Sequence, residues 1–189
     1  MTQANFETAV SCGAIGEIEV RRMLESQGHI VYQPQTQGSH QMDMLAIKDK
    51  QTTIAADVKT KTRRTHYDDT GVNQNHFDLY QQFSRNHNVD FYIFFVDRVL
   101  GKIYGNKLAL LERPCWHEGI KYPRVEPVKY GRDAGTLIRY WPMCSMQDFA
   151  KISKSTADAI QQFEQRNYIT PKKSAQVFFD FNTGGQDAC

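Results

Sequence analysis

Two acidic residues and one lysine lie on adjacent segments that the sequence predicts to be β-strands. Asp57 and Lys59 are two positions apart in an apolar stretch that begins at Ile54, and Asp43 opens the segment before it. Side chains alternate across a strand, so Asp57 and Lys59 project from the same face. Pairing of the two segments as a hairpin would bring Asp43 close to Asp57.

The types of these side chains indicate the chemistry that they could support. Converging carboxylates are hard oxygen ligands, suited to Mg²⁺ or Mn²⁺ rather than to zinc. A lysine beside them could orient an attacking water or stabilise negative charge that builds on a phosphate. Asp57 interrupts an apolar segment, where a carboxylate is costly unless it is paired or bound to a metal. The alternative is a weak ion pair between Asp57 and Lys59 on an exposed strand surface.

The elements that must position these residues begin with a helix. Apolar residues at every fourth position predict a helix over about residues 6–27, and Gly28 supplies its end. A short strand at residues 29–32 follows the helix, and the hairpin of residues 42–59 comes next. The first half of the chain therefore alternates between helical and extended segments.

Further elements continue this alternation and predict a mixed α/β fold. A second helix fits residues 73–86, with Phe77, Tyr80 and Phe83 on one side. The apolar run of residues 90–96 is the strongest strand and is typical of the middle of a sheet.

The C-terminal half of the chain gives weaker signals. Residues 102–104 predict a strand beside the central one, and residues 112–142 predict short strands or irregular structure. Two capping-box patterns predict one helix from about residue 146 and another over about 156–166. Residues 177–181 predict a last strand.

Length and composition exclude several classes of protein. The 189 residues, of which 40% are hydrophobic, suit one soluble globular domain. No apolar run approaches the ~20 residues that cross a bilayer, so we expect no membrane partner. The N-terminus lacks the basic region and apolar core of a secretory signal, which predicts a cytoplasmic or nucleoid-associated protein. The 4 cysteines form no CxxC pair, so no zinc-knuckle or thioredoxin signature is present.

The distribution of charge is more informative than its sum. The 23 basic and 21 acidic residues give a net charge of only +2. A basic run without acidic residues nevertheless follows Lys59, and it comprises Lys61, Arg63, Arg64 and His66. A second basic zone comprises Lys121, Arg124, Lys129, Arg132 and Arg139. Either run taken alone is typical of a solvated face.

The order of these features resembles the PD-(D/E)XK nuclease superfamily. A helix containing Gly13-Ala-Ile-Gly16-Glu17 precedes a strand with Asp43, a strand with Asp57-x-Lys59 and a further helix. The resemblance covers about residues 5–105 and implies that Asp43 and Asp57 are the two acids of the motif, with Lys59 as its lysine. Met42 stands where the superfamily has proline, and Asp57 where glutamate is commoner, but neither change removes a metal ligand.

The resemblance implies a fold as well as a motif. We expect a restriction-endonuclease-like or Holliday-junction-resolvase-like core, in which helices flank a central mixed sheet. This core would span residues 1–105, and a C-terminal elaboration packed on the same domain would span residues 106–182. Residues 183–189 would form a flexible tail.

The resemblance also implies a metal-dependent endonuclease that hydrolyses phosphodiester bonds of DNA. Asp43, Asp57 and the backbone carbonyl of Val58 would hold Mg²⁺, for which Mn²⁺ can substitute. Glu17 would assist as a ligand from the first helix, although Glu19 competes with it while the helix phase is open. Lys59 would assist the attacking water.

Two further sets of residues follow from this resemblance. Gln74 would contact the scissile phosphate or a water near the metal, since the superfamily uses polar residues on this helix and a helix N-terminus favours phosphate. The alternative is that Gln74 and Asn73 only cap the helix. Contacts with the DNA backbone, which carry affinity without sequence information, are expected from Lys61, Arg63, Arg64 and His76.

Rival functions remain open at this point. The chain could be a nuclease-fold module that binds nucleic acid or a protein partner without cutting. An RNA-cutting enzyme is a third alternative, but the sequence contains no recognisable RNA-binding motif. A homodimer is a further expectation, because many nucleases cut two strands as symmetric dimers.

Overall fold

The computed structural model describes residues 3–34, 41–49, 52–117, 120–122, 128–129 and 137–169. The helices in these ranges are α1 (Gln3–Ser26), α2 (Gln74–His87), α3 (Leu108–Leu111) and α4 (Lys154–Ile169), with a 3₁₀ turn at Met143–Ser145. The strands are β1 (Ile30–Tyr32), β2 (Met44–Ile47), β3 (Thr53–Thr60), β4 (Asp69–Asn73), β5 (Asp90–Asp97), β6 (Lys102–Lys107), β7 (Cys115–His117), β8 (Ile120–Tyr122), β9 (Val128–Lys129), β10 (Leu137–Pro142) and β11 (Gln147–Lys151).

A six-stranded mixed sheet forms the centre of the structure. Its strand order is β1-β2-β3-β5-β6-β11. The strands β3 and β5 run parallel, whereas the other neighbouring pairs run antiparallel. The apolar strand β5 lies inside the sheet with neighbours on both sides, as its composition predicts. The predicted fold class, a mixed α/β fold with a central mixed sheet flanked by helices, is confirmed.

Two hydrophobic clusters cover the two faces of this sheet. On one face, Val20 and Met23 of α1 and Ile160 of α4 pack against strand residues such as Val58. On the other face, the helix α2 and the strand β10 cover the sheet with Phe77, Tyr80 and Trp141. Side chains that alternate along β3 therefore point toward α1 or toward α2.

A second, three-stranded sheet has the order β4-β10-β9. Its strands β4 and β10 pair closely at Gly71, where an added Cβ would lie 2.2 Å from the backbone oxygen of Arg139. Glycine is needed there because any larger residue would separate the two strands. The residues of β4 show no apolar alternation, so the sequence predicts no strand there.

The helix predicted from about residue 146 is wrong, because this segment is the edge strand β11. It pairs antiparallel with β6, with a register shift between Asp148 and Ala150. The Ser145 hydroxyl donates to the Pro142 carbonyl at 2.7 Å, so it serves a local turn and caps no helix. The following helix is confirmed, but Ser153 caps it by accepting from the Thr156 N–H at 3.1 Å.

The C-terminal segments complete the layers of the fold. The strand β6 runs across position 105, β11 joins the central sheet, and α4 packs against α1. The division into residues 1–105 and 106–182 stays a prediction. The strand predicted at 177–181 and the tail at 183–189 lie outside the described residues. In the part of the chain that is described, no helix is both long enough and apolar enough to span a membrane.

Candidate active site

Asp57 lies in the interior of the sheet on the face that α2 covers. The residue is 5% exposed and lies on β3, between β2 and β5. Lys59 Nζ donates to Asp57 Oδ1 at 2.8 Å and lies 2.7 Å from Oδ2. The pair is therefore not the exposed surface pair that the sequence also allowed.

The hairpin brings Asp43 beside Asp57, and the backbone of β3 holds its carboxylate. The Asp43 N–H donates to the Ala56 carbonyl at 2.9 Å, and Asp43 Oδ2 accepts from the Val58 N–H at 2.7 Å. Burial raises the pKa of Asp43 to about 6, and repulsion from Asp57 adds to this effect. The Val58 N–H and Lys59 oppose the rise. The two carboxylates are thus close enough to repel each other.

Glu17 reaches the same region from the other face of the sheet. The helix α1 approaches β3 closely at Gly16, where an added Cβ would lie 1.9 Å from Thr60 Oγ1. The Gln33 amide donates to Glu17 Oε2 at 3.3 Å. The charge of Glu17 is also among the causes that raise the pKa of Asp43.

The orientation of α1 separates Glu17 from Glu19. Glu19 pairs with Arg22 at 2.9 Å and accepts from the Thr156 hydroxyl of α4 at 3.2 Å. It therefore links α1 to α4, whereas Glu17 acts electrostatically on Asp43. The sequence left open whether Glu17 or Glu19 faces Asp43, and the orientation of α1 favours Glu17.

Tyr80 is a site residue that sequence reasoning missed. Its ring stacks on Phe91 with centroids 4.7 Å apart, and Lys59 Nζ lies 5.9 Å from its centroid. Burial raises the pKa of Tyr80, and the nearby charge of Asp57 raises it further. The sequence placed Tyr80 among the core residues of α2, and no local signal shows that this face of α2 covers Asp57.

Gln74 begins α2, but its side chain is engaged elsewhere. Its amide nitrogen donates to Asp78 Oδ1 at 2.7 Å, and its amide oxygen accepts from Arg139 Nε at 3.0 Å. Arg139 is buried and also donates to Glu112 at 2.6 Å. Asn73 makes no side-chain capping bond to α2. The structure thus places Gln74 in a polar network, and its catalytic role stays a prediction.

The basic residues after β3 have acceptors within the protein. Lys61 donates to the Gly71 carbonyl, and burial lowers the pKa of Lys61 to about 8. Arg63 pairs with Asp68, and Arg64 pairs with Asp69. His76 is exposed on α2, with its ring 6.2 Å from the ring of Tyr80. The contacts of Lys61, Arg63, Arg64 and His76 with DNA stay a prediction.

In the second basic zone, Arg139 is buried, and Arg124 and Arg132 lie outside the described residues.

The donor set at this site suits a hard cation. Asp57 Oδ2 is buried and accepts no hydrogen bond of good geometry. With Asp43 and the Val58 carbonyl, it would supply oxygen ligands only, and Mg²⁺ is commonly held by one or two carboxylates and water. Within the described ranges, no group of three or more His, Cys, Asp or Glu side chains is placed to hold a metal. Glu17 therefore does not complete a third direct ligand in this conformation.

Comparisons with known proteins give distant likenesses. No protein-family model and no curated protein matches the sequence. The chain is similar to Hjc, a Holliday junction resolvase from the archaeal hyperthermophile Archaeoglobus fulgidus, with 16% identity and a TM-score of 0.44 over 59% of this chain and 88% of that one. It is also similar to a nuclease from a fusselovirus, with 12% identity and a TM-score of 0.38 over 85% of this chain and 93% of that one.

Proposed function

We propose that this protein is a metal-dependent endonuclease of the PD-(D/E)XK type that hydrolyses phosphodiester bonds of DNA. The observation that carries the proposal is the buried carboxylate of Asp57, held beside Asp43 and Lys59. Burying a carboxylate costs free energy, and a second carboxylate close by adds repulsion. Such an arrangement destabilises the fold, so a function that needs both carboxylates explains it better than stability does.

The proposed cation site comprises Asp43, Asp57 and the carbonyl of Val58. Mg²⁺ bound there would polarise the phosphodiester and lower the pKa of a coordinated water. Glu17 acts on Asp43 through space and would assist by holding a water. Mn²⁺ fits the same hard oxygen ligands.

Lys59 and Tyr80 serve the same carboxylate in different ways. Lys59 neutralises Asp57 in the structure, and its ammonium group would turn to the attacking water or to the phosphate once a cation takes over that charge. Burial and the charge of Asp57 raise the pKa of Tyr80, so its hydroxyl stays protonated beside that carboxylate. Tyr80 is thus a positioning residue for Asp57.

Contacts with the DNA backbone are proposed for the basic residues that follow β3 and for His76 on α2. Arg63 and Asp68 form an ion pair that is 42% and 66% exposed, so Arg63 can exchange Asp68 for a phosphate at little cost. His76 is exposed at the start of α2, and among the described residues no carboxylate forms an ion pair with it. Lys61 and Arg64 are held more firmly and would act through their charge.

Cleavage of a panel of nucleic acids by the wild type and by Lys59→Ala tests the proposal. Supercoiled plasmid, linear duplex, single strand, four-way junction and RNA are incubated with the protein in Mg²⁺, Mn²⁺ or EDTA. We expect metal-dependent cutting of DNA that Lys59→Ala reduces by at least about 100-fold, because the loss of a preorganised electrostatic group typically costs 10²–10³ in rate.

The matched control is Lys102→Ala. Lys102 also pairs with an aspartate, Asp148, at 2.8 Å, but on the exposed edge of the sheet. This variant should cut as fast as the wild type, and thermal unfolding checks that both variants are folded. Equal cutting by the wild type and Lys59→Ala would refute the role of Lys59.

The second candidate is a nuclease-fold module that binds nucleic acid or a protein partner without cutting. Two observations favour it: Lys59 already neutralises Asp57, and no third acidic ligand completes the site in the described residues. The same panel separates the candidates. A binding module would retard DNA in a gel and leave it intact with every metal.

A further inference from the structure

The loop between β3 and β4 carries an exposed tyrosine ring that stacks on an arginine. The Arg64 guanidinium carbon lies 4.2 Å from the centroid of the Tyr67 ring and 3.8 Å from that of Tyr140. Tyr140 is buried in β10, whereas Tyr67 is 62% exposed. Arg64 therefore lies against the Tyr67 ring, and most of the Tyr67 surface is still open to solvent.

Hydrogen bonds hold Arg64, the residue on which Tyr67 stacks, in place. Arg64 Nε donates to Asp69 Oδ1 at 2.6 Å, and the Arg64 N–H donates to the Asp69 carbonyl at 3.1 Å. The neighbouring Arg63 N–H donates at 2.8 Å to Oδ2 of Asp97, a buried residue at the end of β5. The backbone is thus fixed at two consecutive residues. A platform fixed before binding loses little entropy when a ligand stacks on it.

The loop around this stack combines basic side chains with an aromatic ring, the groups that bind nucleotides. A cavity of about 260 Å³ is lined by Arg63, Arg64, Thr65, His66 and Tyr67. Proteins that hold single-stranded nucleic acid combine an aromatic ring, on which a base stacks, with positive groups that follow the backbone. This loop offers both within three residues of each other in the chain.

The platform also lies near the candidate active site. The loop starts directly after β3, the strand that carries Asp57 and Lys59. Full extension of the chain limits the separation of the Lys59 and Arg64 Cα atoms to about 17 Å. A strand of DNA with its phosphate at Lys59 would therefore reach Tyr67 within a few nucleotides.

We propose that Tyr67 stacks on an unpaired base of the DNA, an inference that rests on the proposed nuclease function and narrows its substrate. Bases inside a duplex cover one another's faces, so a side chain stacks only on a base that is out of the helix. The substrate class is accordingly DNA with unpaired nucleotides beside the scissile phosphate.

Binding in EDTA tests this inference without cleavage. A single-stranded oligonucleotide carrying 2-aminopurine is compared with a fully paired duplex of the same sequence, by fluorescence anisotropy and by quenching of the 2-aminopurine. We expect Tyr67→Ala to weaken single-strand binding by about 5- to 100-fold, the range for one lost base–aromatic stack, and to abolish the quenching. Duplex binding should stay within about twofold of the wild type.

Two further variants serve as controls for the loss of the Tyr67 ring. Tyr67→Phe keeps the ring and should bind the single strand like the wild type. Tyr32→Ala removes another exposed tyrosine, 55% exposed on β1, and should change neither affinity. Tyr67→Ala that binds the single strand like the wild type, or that loses single strand and duplex equally, would overturn the inference. So would a wild-type protein that binds no single strand.

A cleavage arm in Mg²⁺ distinguishes the two proposals. Cutting that is unaffected by Tyr67→Ala on both probes would refute the stacking and leave the nuclease in place. Single-strand binding that depends on Tyr67, without cutting in any metal, would refute the nuclease and leave the stacking in place.

Discussion

At the scale of single residues, the site is a cluster of charges whose burial costs free energy. Asp57 is buried beside Asp43, and each carboxylate has a partner that lowers this cost: Lys59 for Asp57, and the Val58 N–H for Asp43. The Tyr80 hydroxyl lies near enough to Asp57 for the charge of this carboxylate to raise the pKa of Tyr80. The residual repulsion appears in the pKa of Asp43, which is raised to about 6.

The raised pKa of Asp43 predicts a pH dependence of stability in the absence of metal. The pKa in the folded protein is about 6, above the ordinary value of 3.8, so the folded state holds this proton more tightly than the unfolded state. Stability should therefore fall as the pH rises from about 4 to about 6, by up to about 3 kcal/mol from this group.

Asp43→Asn isolates this contribution, because its amide oxygen can still accept from the Val58 N–H. Denaturant unfolding in EDTA should show that the variant gains stability over the wild type as the pH rises through this window. The control is Asp148→Asn, which changes an exposed carboxylate on β11. Parallel pH profiles for Asp43→Asn and the wild type would contradict the pKa shift.

The sequence was sufficient to predict the types and the pairing of these residues but not all of their partners. The two-residue spacing of Asp57 and Lys59 and the hairpin that brings in Asp43 are local features, and the structure has both. Tyr80 arrives from a helix whose contact with β3 is set by packing between distant segments. A single sequence holds no local signal for such a contact.

At the scale of elements, the site depends on how closely α1 approaches β3. An added Cβ at Gly16 would lie 1.9 Å from Thr60 Oγ1 and 3.4 Å from Val96 Cγ2. This close approach places the middle of α1 near the end of β3, and it brings Glu17 there. The two glycines of the sequence motif differ, because an added Cβ at Gly13 meets only Glu17 Oε1 at 4.0 Å.

Alanine substitutions at these glycines should have opposite effects. Gly16→Ala should destabilise the fold by about 1–3 kcal/mol, since overpacking forces α1 away from β3. Gly13→Ala should stabilise it by about 0.5–1 kcal/mol, because alanine favours the helix and the space is open. Denaturant unfolding measures both. A stabilised Gly16→Ala variant would contradict the close packing of α1 on β3.

The elements that sequence analysis identified are those with strong local patterns. The helices α1 and α2 and the strand β5 lie within a few residues of their predicted bounds. The strands β4 and β11 were missed because their residues show no clear apolar alternation and their pairing with β10 and β6 joins distant parts of the chain. A capping-box pattern near Ser145 then misled the assignment of β11.

At the scale of the whole molecule, the central sheet separates two layers, and residues from both layers come together around β3. Glu17 comes from the layer of α1, and Tyr80 comes from the layer of α2. Between them, β2 and β3 supply Asp43, Asp57 and Lys59. The sequence order of these elements predicted that Glu17, Asp43, Asp57 and Lys59 come together, but it did not predict Tyr80. The packing of residues 137–169 onto the same core was not predictable in detail. Formation of a homodimer stays a prediction.

The most direct test of the nuclease assignment is the rate at which the protein nicks supercoiled plasmid in Mg²⁺, with Asp57→Asn beside Asp148→Asn. Both variants remove one carboxylate charge that pairs with a lysine, but only Asp57 belongs to the proposed metal site. We predict that the wild type and Asp148→Asn nick the plasmid and that EDTA stops them. Asp57→Asn should be at least about 100-fold slower, since the hydrolysis loses a ligand of its proposed metal. Equal rates for the wild type and Asp57→Asn, or no nicking by the folded wild type, would contradict the assignment.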